Sequence, residues 1–445
     1  MLLLLLLLAS SVQAQKGKLR EAKKLMEQKA YQGAIDIYMR ILDKNSKNSE
    51  AIAGIAECYR HLNNYSEMEY WYYELVQTNP TPEAWLYHAK AAHAIGNRQK
   101  ALKSAQQAKR LNPTYEVEFL IKALNEEVVQ NLRASGALYK VEALKAINTD
   151  KNEFCPIVLK STQLVFVSDR ESGKKSPITS QRTDAWNGSN FTDVFVVDRT
   201  LTDAKKMTFS YGTPKQLEGI STKYHDGPVS FSPDGNEAYF STSSREGRSP
   251  DGIWRIKIYR TLAEGKSWGK PQGVAVINSD EYSVYHPTLS PKGTKLIFAA
   301  EMPGGAGGLD LYYCELEDGR WTPPTPLVGI NTEGNEAFPF LHKDGTLYFA
   351  SDGHTGLGGY DIFMAKSNMG DYFDPVNLGY PINTPYDDFG ISMSEDKTEG
   401  YFSSNREGGA GGDDIYAFSK QSVEVEVLVF DRSEEHTSEL QSRQY

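Results

Sequence analysis

A strand-and-turn phrase recurs five times in the second half of this 445-residue chain. One copy runs Phe338-Pro339, Lys343-Asp344-Gly345, Leu347-Tyr348-Phe349-Ala350-Ser351-Asp352 and Gly358-Gly359-Tyr360-Asp361-Ile362-Phe363. The next gives Tyr401-Phe402-Ser403-Ser404-Asn405 and Gly411-Gly412-Asp413-Asp414-Ile415-Tyr416. Earlier copies carry Leu296-Ile297-Phe298 with Gly307-Gly308-Leu309-Asp310-Leu311-Tyr312, Ser232-Pro233-Asp234-Gly235 with Ala238-Tyr239-Phe240, and Leu164-Val165-Phe166 with Asp193-Val194-Phe195. Phe240, Phe298, Phe349 and Phe402 are spaced by 51 to 58 residues, and the 74-residue step from Phe166 reflects a loop inserted over 174–188. A period near ~50 residues holding several short strands predicts a β-propeller with one four-stranded blade per copy. Five blades are expected over 151–422, with Pro156, Pro228, Pro287 and Pro339 at equivalent positions.

The physics of one copy accounts for its residues. Lys-Asp-Gly or Pro-Asp-Gly is a tight turn in which glycine supplies positive φ. The apolar-aromatic run after it reads as a buried strand, Gly-Gly-x-Asp as a second turn, and Ile-Tyr or Leu-Tyr as the next strand. Between copies, Ile277-Asn278-Ser279, Ile330-Asn331-Thr332 and Ile382-Asn383-Thr384 read as the crossing from one blade to the next.

From Lys18 to Pro113 the period becomes helical. Ala22, Leu25, Tyr31, Ala34, Tyr38 and Ile41 recur at offsets of 34 and 33 residues, and the later units close on Pro80 and Pro113. This spacing resembles the tetratricopeptide repeat, whose arrays present a concave groove to a protein segment. The resemblance implies that Glu57, Arg60, His61, Lys90 and His93 line that groove, where Arg60, His61, Lys90 and His93 make a locally basic strip suited to an acidic segment or a C-terminal carboxylate. The array is expected over 15–116, followed by a helical linker over 117–150.

Met1, Leu2–Leu8 and the small residues to Ala14 read as a secretory signal over 1–14, because the apolar run is too short for the ~20 residues of a membrane span. Cys58, Cys155 and Cys314 fall in three different repeats and read as small buried hydrophobes, with a disulfide as the alternative. A net charge of -10 and a pI near 5.5 exclude a general nucleic-acid binder, because no basic surplus is present to neutralise phosphates. At the other end, 423–431 alternates apolar and acidic residues like the first strand of a further β domain. Residues 432–442 are encoded codon for codon by a common sequencing-library adapter, so 432–445 reads as an artefact and the natural protein is expected to continue.

Helical repeats, then blades with x-Asp-Gly…Tyr-Phe…Gly-Gly-x-Asp-Ile-Tyr, then a new β domain resemble the OmpA-family periplasmic proteins of Bacteroidetes that carry TolB-like WD propeller repeats. Type IX secretion components belong to that group. The resemblance implies an exported, non-enzymatic scaffold, periplasmic and associated with the outer membrane, whose partners are envelope proteins. It implies peptidoglycan binding only through a C-terminal OmpA-like domain that follows a carboxypeptidase-regulatory-like domain. No cofactor is implied. Alternatives are a polysaccharide-binding or enzyme-accessory propeller, or a TolB-like translocation factor.

Catalytic patterns fall short in the sequence. No Gly-x-Ser-x-Gly elbow occurs, and the Gly-rich loops lack the Gly-Lys-Ser/Thr ending of a phosphate loop. His225, His286, His342 and His354 sit on separate blades or loops, without the close spacing of a zinc site. Asp169, Glu301 and Asp352 follow one blade strand, and Asp193, Asp310, Asp361 and Asp414 follow the glycine pair. These carboxylates could take calcium or cap their turns, and their repetition in blade after blade favours the caps.

Overall fold

The computed structural model describes residues 2–421 except 137, 172–183, 204–207, 223, 266 and 369. The expected strand at 423–431, the adapter-derived tail and most of the inserted loop lie outside the described residues. Helices α1 (Leu2–Glu27), α2 (Tyr31–Leu42), α3 (Ser49–His61), α4 (Tyr65–Thr78), α5 (Pro82–Ala94), α6 (Arg98–Leu111), α7 (Tyr115–Ala123) and α8 (Glu126–Ser135) form the N-terminal array. Helix α1 runs through the expected signal boundary without a break. Asn48, Asn64, Thr81, Asn97 and Thr114 each accept a backbone amide at a helix start, which sets where α3 to α7 begin. Small residues let the helices cross closely: Ala22, Ala34, Ala51, Ala56, Ala89, Ala92, Ala101 and Ala105 are fully buried. At Gly54 a Cβ would stand 2.3 Å from the Tyr38 ring. Lys29, Asn63 and Gly96, spaced by the repeat, all take positive φ where the two helices of a unit turn back.

The rest of the described chain forms five sheets of four main strands each, so the propeller expected from the period is present. Second strands, such as Lys295–Ala300 and Leu347–Ser351, are buried on both faces, and Phe166, Phe240, Phe298, Phe349 and Phe402 are each 0 % exposed. That explains the apolar runs without alternation. The inner strands are Glu153–Leu159, Asp226–Phe231, Val284–Leu289, Glu336–Leu341 and Asp388–Met393. Each carries an irregularity in its pairing at the position of Pro156, Pro228, Pro287, Pro339 or Ile391, where a missing or unpaired amide is tolerated.

The expected helical linker over 117–150 is corrected at its C-terminal end. Helix α8 stops at Ser135, and Tyr139–Ala143 is a strand that pairs with Asp414–Lys420 as the outermost strand of the fifth blade. The ring is therefore closed by chain from its two ends, and the segment joining array to propeller belongs to the propeller. The helical pattern in 120–132 runs into a five-residue edge strand that carries almost no period of its own, so the sequence alone does not separate the two.

The Ile-Asn-Thr phrase is a clasp rather than only a crossing. Asn278, Asn331 and Asn383 each accept the amide and donate to the carbonyl of one strand residue, Ile258, Leu311 or Ile362. Asn148 does the same to Ile415, and Ser221 to Val194, so all five blades have the clasp. The following Thr donates to the first inner-strand carboxylate: Thr149 to Glu153, Thr222 to Asp226, Thr332 to Glu336 and Thr384 to Asp388.

Candidate functional site

The structure brings four of the five groove residues together. Arg60 donates to Glu57 (Nε to Oε2, 2.8 Å), His61 Nε2 lies 3.2 Å from Glu57 Oε1, and Tyr72 donates to Glu57 at 3.0 Å. Burial opposes the charge on Glu57, but the hydrogen bonds from Arg60, His61 and Tyr72 outweigh it and hold the carboxyl well below its usual range. The Arg60 guanidinium lies 5.1 Å and the Lys90 ammonium 5.8 Å from the centre of the Tyr87 ring, and Lys90 pairs with Glu116 at 2.6 Å. The patch thus carries both signs of charge, and the locally basic strip expected of Arg60, His61, Lys90 and His93 is corrected, because Glu57 and Glu116 pair with its cations. Glu116 and Tyr87 lie outside the positions that the repeat pattern singles out.

His93 leaves the group altogether. It is 8 % exposed, hydrogen-bonded to the backbone of Gly356 in the propeller, and burial lowers its pKa to about 4. A histidine at a groove position of the repeat is here an interface residue, because the turns of the array rest on the propeller. Lys29 pairs with Glu301 at 3.1 Å, Tyr65 donates to Asp387 at 2.9 Å, Gly96 abuts Pro385, and Tyr380 donates its amide to Leu132 O at 3.1 Å.

The blade carboxylates are occupied by their own loops. Asp169 accepts from Asn152 N and Nδ2, and Asp352 from Asn335 N and Nδ2. In the fifth blade the pair is reversed, with Asp387 and Asn405 exchanging places. Asp310, Asp361 and Asp414 accept amides of Gly307, Leu357 and Ala410, while Gln216 donates to Asp193. A Cβ on Gly305, Gly356 or Gly409 would stand 1.9, 1.8 or 2.0 Å from those carboxylates, so the Gly-rich loops are cradles for a buried aspartate. The second blade has Lys257 there, paired with Asp280 at 2.8 Å. Among the described residues no group of three His, Cys or carboxylate side chains is arranged to hold a metal ion.

The other histidines stay apart. His342 joins Asp344 Oδ1 (2.8 Å) to Ser394 O (3.1 Å), and His354 reaches Ile330 O at 2.8 Å. Arg170 and Arg406 stand where His354 does and bond the equivalent carbonyls of Ile147 and Ile382. His286 sits in the propeller channel, stacked 3.8 Å from Phe338, and burial pushes its pKa down to about 3. Both residues have positive φ, as does Cys155, and their side chains narrow the channel to a cavity of about 50 Å³. All three cysteines are free thiols.

A larger cavity of about 500 Å³ lies where the array meets the propeller face. Asn63, Asn64 and Tyr65 line it from the array, and Phe154, Asp169 and Asp413 from the propeller. His225 also borders it, its Nδ1 facing the Thr192 amide and its Nε2 lying 3.2 Å from Asp184. No motif in the sequence marks Asp413, which stands where the other blades have Thr192, Ile256, Leu309 and Tyr360.

No protein-family profile matches the sequence, and no curated protein does. Solved structures similar in fold include TolB from Acinetobacter baumannii, 14% identical with a TM-score of 0.35 over 68% of this chain and 71% of that one. YrrB, described as a TPR protein with an unusual peptide-binding site, is 17% identical with a TM-score of 0.24 over 26% of this chain and 64% of its own. An α-L-arabinofuranosidase from Lactobacillus brevis is 13% identical with a TM-score of 0.38 over 62% of this chain and 92% of that one.

Proposed function

We propose that this chain is a non-enzymatic scaffold that holds protein partners in the bacterial envelope, exported to the periplasm and associated with the outer membrane. The observation that carries this reading is the half-buried patch in which Arg60 and Lys90 lie over the Tyr87 ring with Glu57 and His61 beside Arg60, on an array fixed to the propeller by its turns. A rigid mount with a half-buried aromatic and charges of both signs suits a partner segment that offers its own charges and a side chain to stack. The narrow channel, filled by His286, Phe338 and Cys155, favours a structural role for the ring over a substrate passage. On the resemblance in repeat order, the chain would serve as a type IX secretion component like PorE, with peptidoglycan anchoring in a C-terminal domain.

Capture of envelope proteins from a native host extract, followed by mass spectrometry, tests the reading. Tyr87→Ala with Arg60→Gln is the informative pair, because reversing Arg60 alone would set two carboxylates three residues apart on α3. Loss of a specific partner set with an unchanged unfolding midpoint supports the scaffold. Hydrolysis of peptide or glycan substrates that persists through purification would sink it.

A further inference from the structure

The cavity under the array is built from features that the five blades do not share. A residue repeated in every blade answers to the blade, whereas one that breaks the repeat needs another reason. Asp413 is an acid that no other blade carries: the equivalent positions hold Thr192, Ile256, Leu309 and Tyr360, so no shared blade feature calls for it. The Asp413 amide bonds Asn152 Oδ1 at 3.0 Å, but its carboxylate accepts no hydrogen bond from the described residues. Asn187 and Asn190, which also line the cavity, come from the segment at the insertion that only the first blade has.

Charge in this region is one-sided. Among the described residues the lining contains no lysine or arginine. Asp169, Asp414 and Glu153 are the charged neighbours of Asp413, with Arg170 spent on Glu153 at 2.9 Å and Asp387 alongside. Burial, then these like charges, pushes Asp413 up to about 7. Phe154, Tyr65, Tyr386, Asn63 and Asn190 line the same cavity.

We propose that this cavity binds a small organic cation bearing a primary ammonium group, with Asp413 as its counter-ion. An ammonium has three donors and no acceptor, which matches one carboxylate and the side-chain carbonyls of asparagine. Aromatic faces attract a desolvated cation, and the volume falls within the ~300–1,000 Å³ of small-ligand sites, which favour domain interfaces. The site is independent of the groove and of the scaffold reading. Because the cation needs the ionised carboxylate, affinity rises with pH through the titration of Asp413, against the fields of Asp169, Asp414, Glu153 and Asp387 and beside the His225 imidazole.

Calorimetric titration of the whole chain with Nα-acetyl-lysine amide tests this, with Nα-acetyl-norleucine amide and cellobiose as uncharged comparisons. Saturable binding of the lysine amide is expected at about pH 8, and it weakens at about pH 5.5. Asp413→Asn weakens it by at least ~30-fold, the lower end for removing one partner of a desolvated charge pair. Asp413→Thr, which installs the residue of the first blade, gives the same loss and guards against misfolding of the first variant. Failure of the lysine amide to bind, equal binding of either uncharged compound, or full binding by both variants overturns the proposal.

Discussion

The third blade and the other four solve the same packing problem in two ways. In the others the inner strand opens with Glu153, Asp226, Glu336 or Asp388, opposite Ser168, Thr242, Ser351 or Ser404. The third blade pairs Val284 with Ala300 at that place. Carboxylate and hydroxyl disappear together, as expected if each exists to satisfy the other: Ser168 donates to Glu153 at 2.9 Å and Ser351 to Glu336 at 2.7 Å. A buried polar pair can be exchanged for an apolar pair at little cost, but half an exchange leaves an orphan. The comparison teaches that the repeated acids of this propeller are packing devices, so function should be sought where the repeat is broken.

The largest expected effect tests ring closure, which only the fifth blade takes from an N-terminal strand. Leu144 N bonds Ile415 O and Gln421 N bonds Leu138 O, so the antiparallel alternation places Glu142 in a bonded pair with Ala417. Glu142→Pro should lower stability by roughly 3 kcal/mol, by deleting that bond and leaving the Ala417 carbonyl unpaired. Glu142→Ala, whose side chain is exposed, should be nearly neutral. Chemical denaturation of both variants reads the difference. Equal stability would show that the fifth blade holds with three strands.

Next is conversion of the fourth blade to the third-blade solution. Glu336→Val alone should cost about 1–3 kcal/mol, because Ser351 and the Thr332 hydroxyl and amide lose their acceptor. Adding Ser351→Ala should recover part of that cost, giving a favourable coupling in a double-mutant cycle. Additive losses would mean that the two blades differ for another reason.

Two of these acids, with two more on the propeller face, set the pH response. Burial raises Asp226, Glu336, Asp387 and Asp413 to about 7, from an unfolded value near ~4. The folded state therefore binds more protons between those values, and stability is lost as pH rises through about 7. His93 and His286 work in the opposite direction, being lowered to about 4 and about 3, but their effect ends above the unfolded histidine value of ~6.5. Between about pH 6.5 and 8 the unfolding midpoint should fall, and Asp387→Asn should flatten that slope. A midpoint that rises across this window would contradict the burial of these carboxyls.

Much of this architecture was legible because a repeat writes the same constraint several times. Five aligned phenylalanines fixed the blades, and the 34- and 33-residue offsets fixed the helix pairs. Single events left no such trace. The strand Tyr139–Ala143 is one of a kind, and the contacts of Lys29 and Tyr65 join residues 272 and 322 positions apart, on faces that the period cannot assign. The groove was half legible: the pattern placed Arg60 and Lys90 together, yet Glu116 sits two helices beyond α5, where no heptad or repeat rule would pair it with Lys90. Asp413 was visible as an acid that no other blade carries at its position, but only once the register of the blades was known.

The smallest expected effect concerns the mount between the two halves. Lys29, Asn63 and Gly96 occupy the same turn in successive repeats, with φ of 57°, 51° and 74°. A lysine in that conformation is strained by roughly 1–2 kcal/mol relative to glycine. Lys29 also pairs with Glu301 while half exposed, which contributes about 0.2–1 kcal/mol. Lys29→Gly should therefore leave stability nearly unchanged, strain relief offsetting the lost pair and the added backbone freedom of the unfolded chain. Lys29→Met keeps the strain and loses the pair, so it should be the less stable of the two. The docking contribution is isolated by a cycle of Lys29→Met with Glu301→Gln, where a coupling of a few tenths of a kcal/mol that fades with salt is expected. A coupling of zero at low salt would mean that Tyr65, His93 and the Gly96–Pro385 contact hold the array in place without this ion pair.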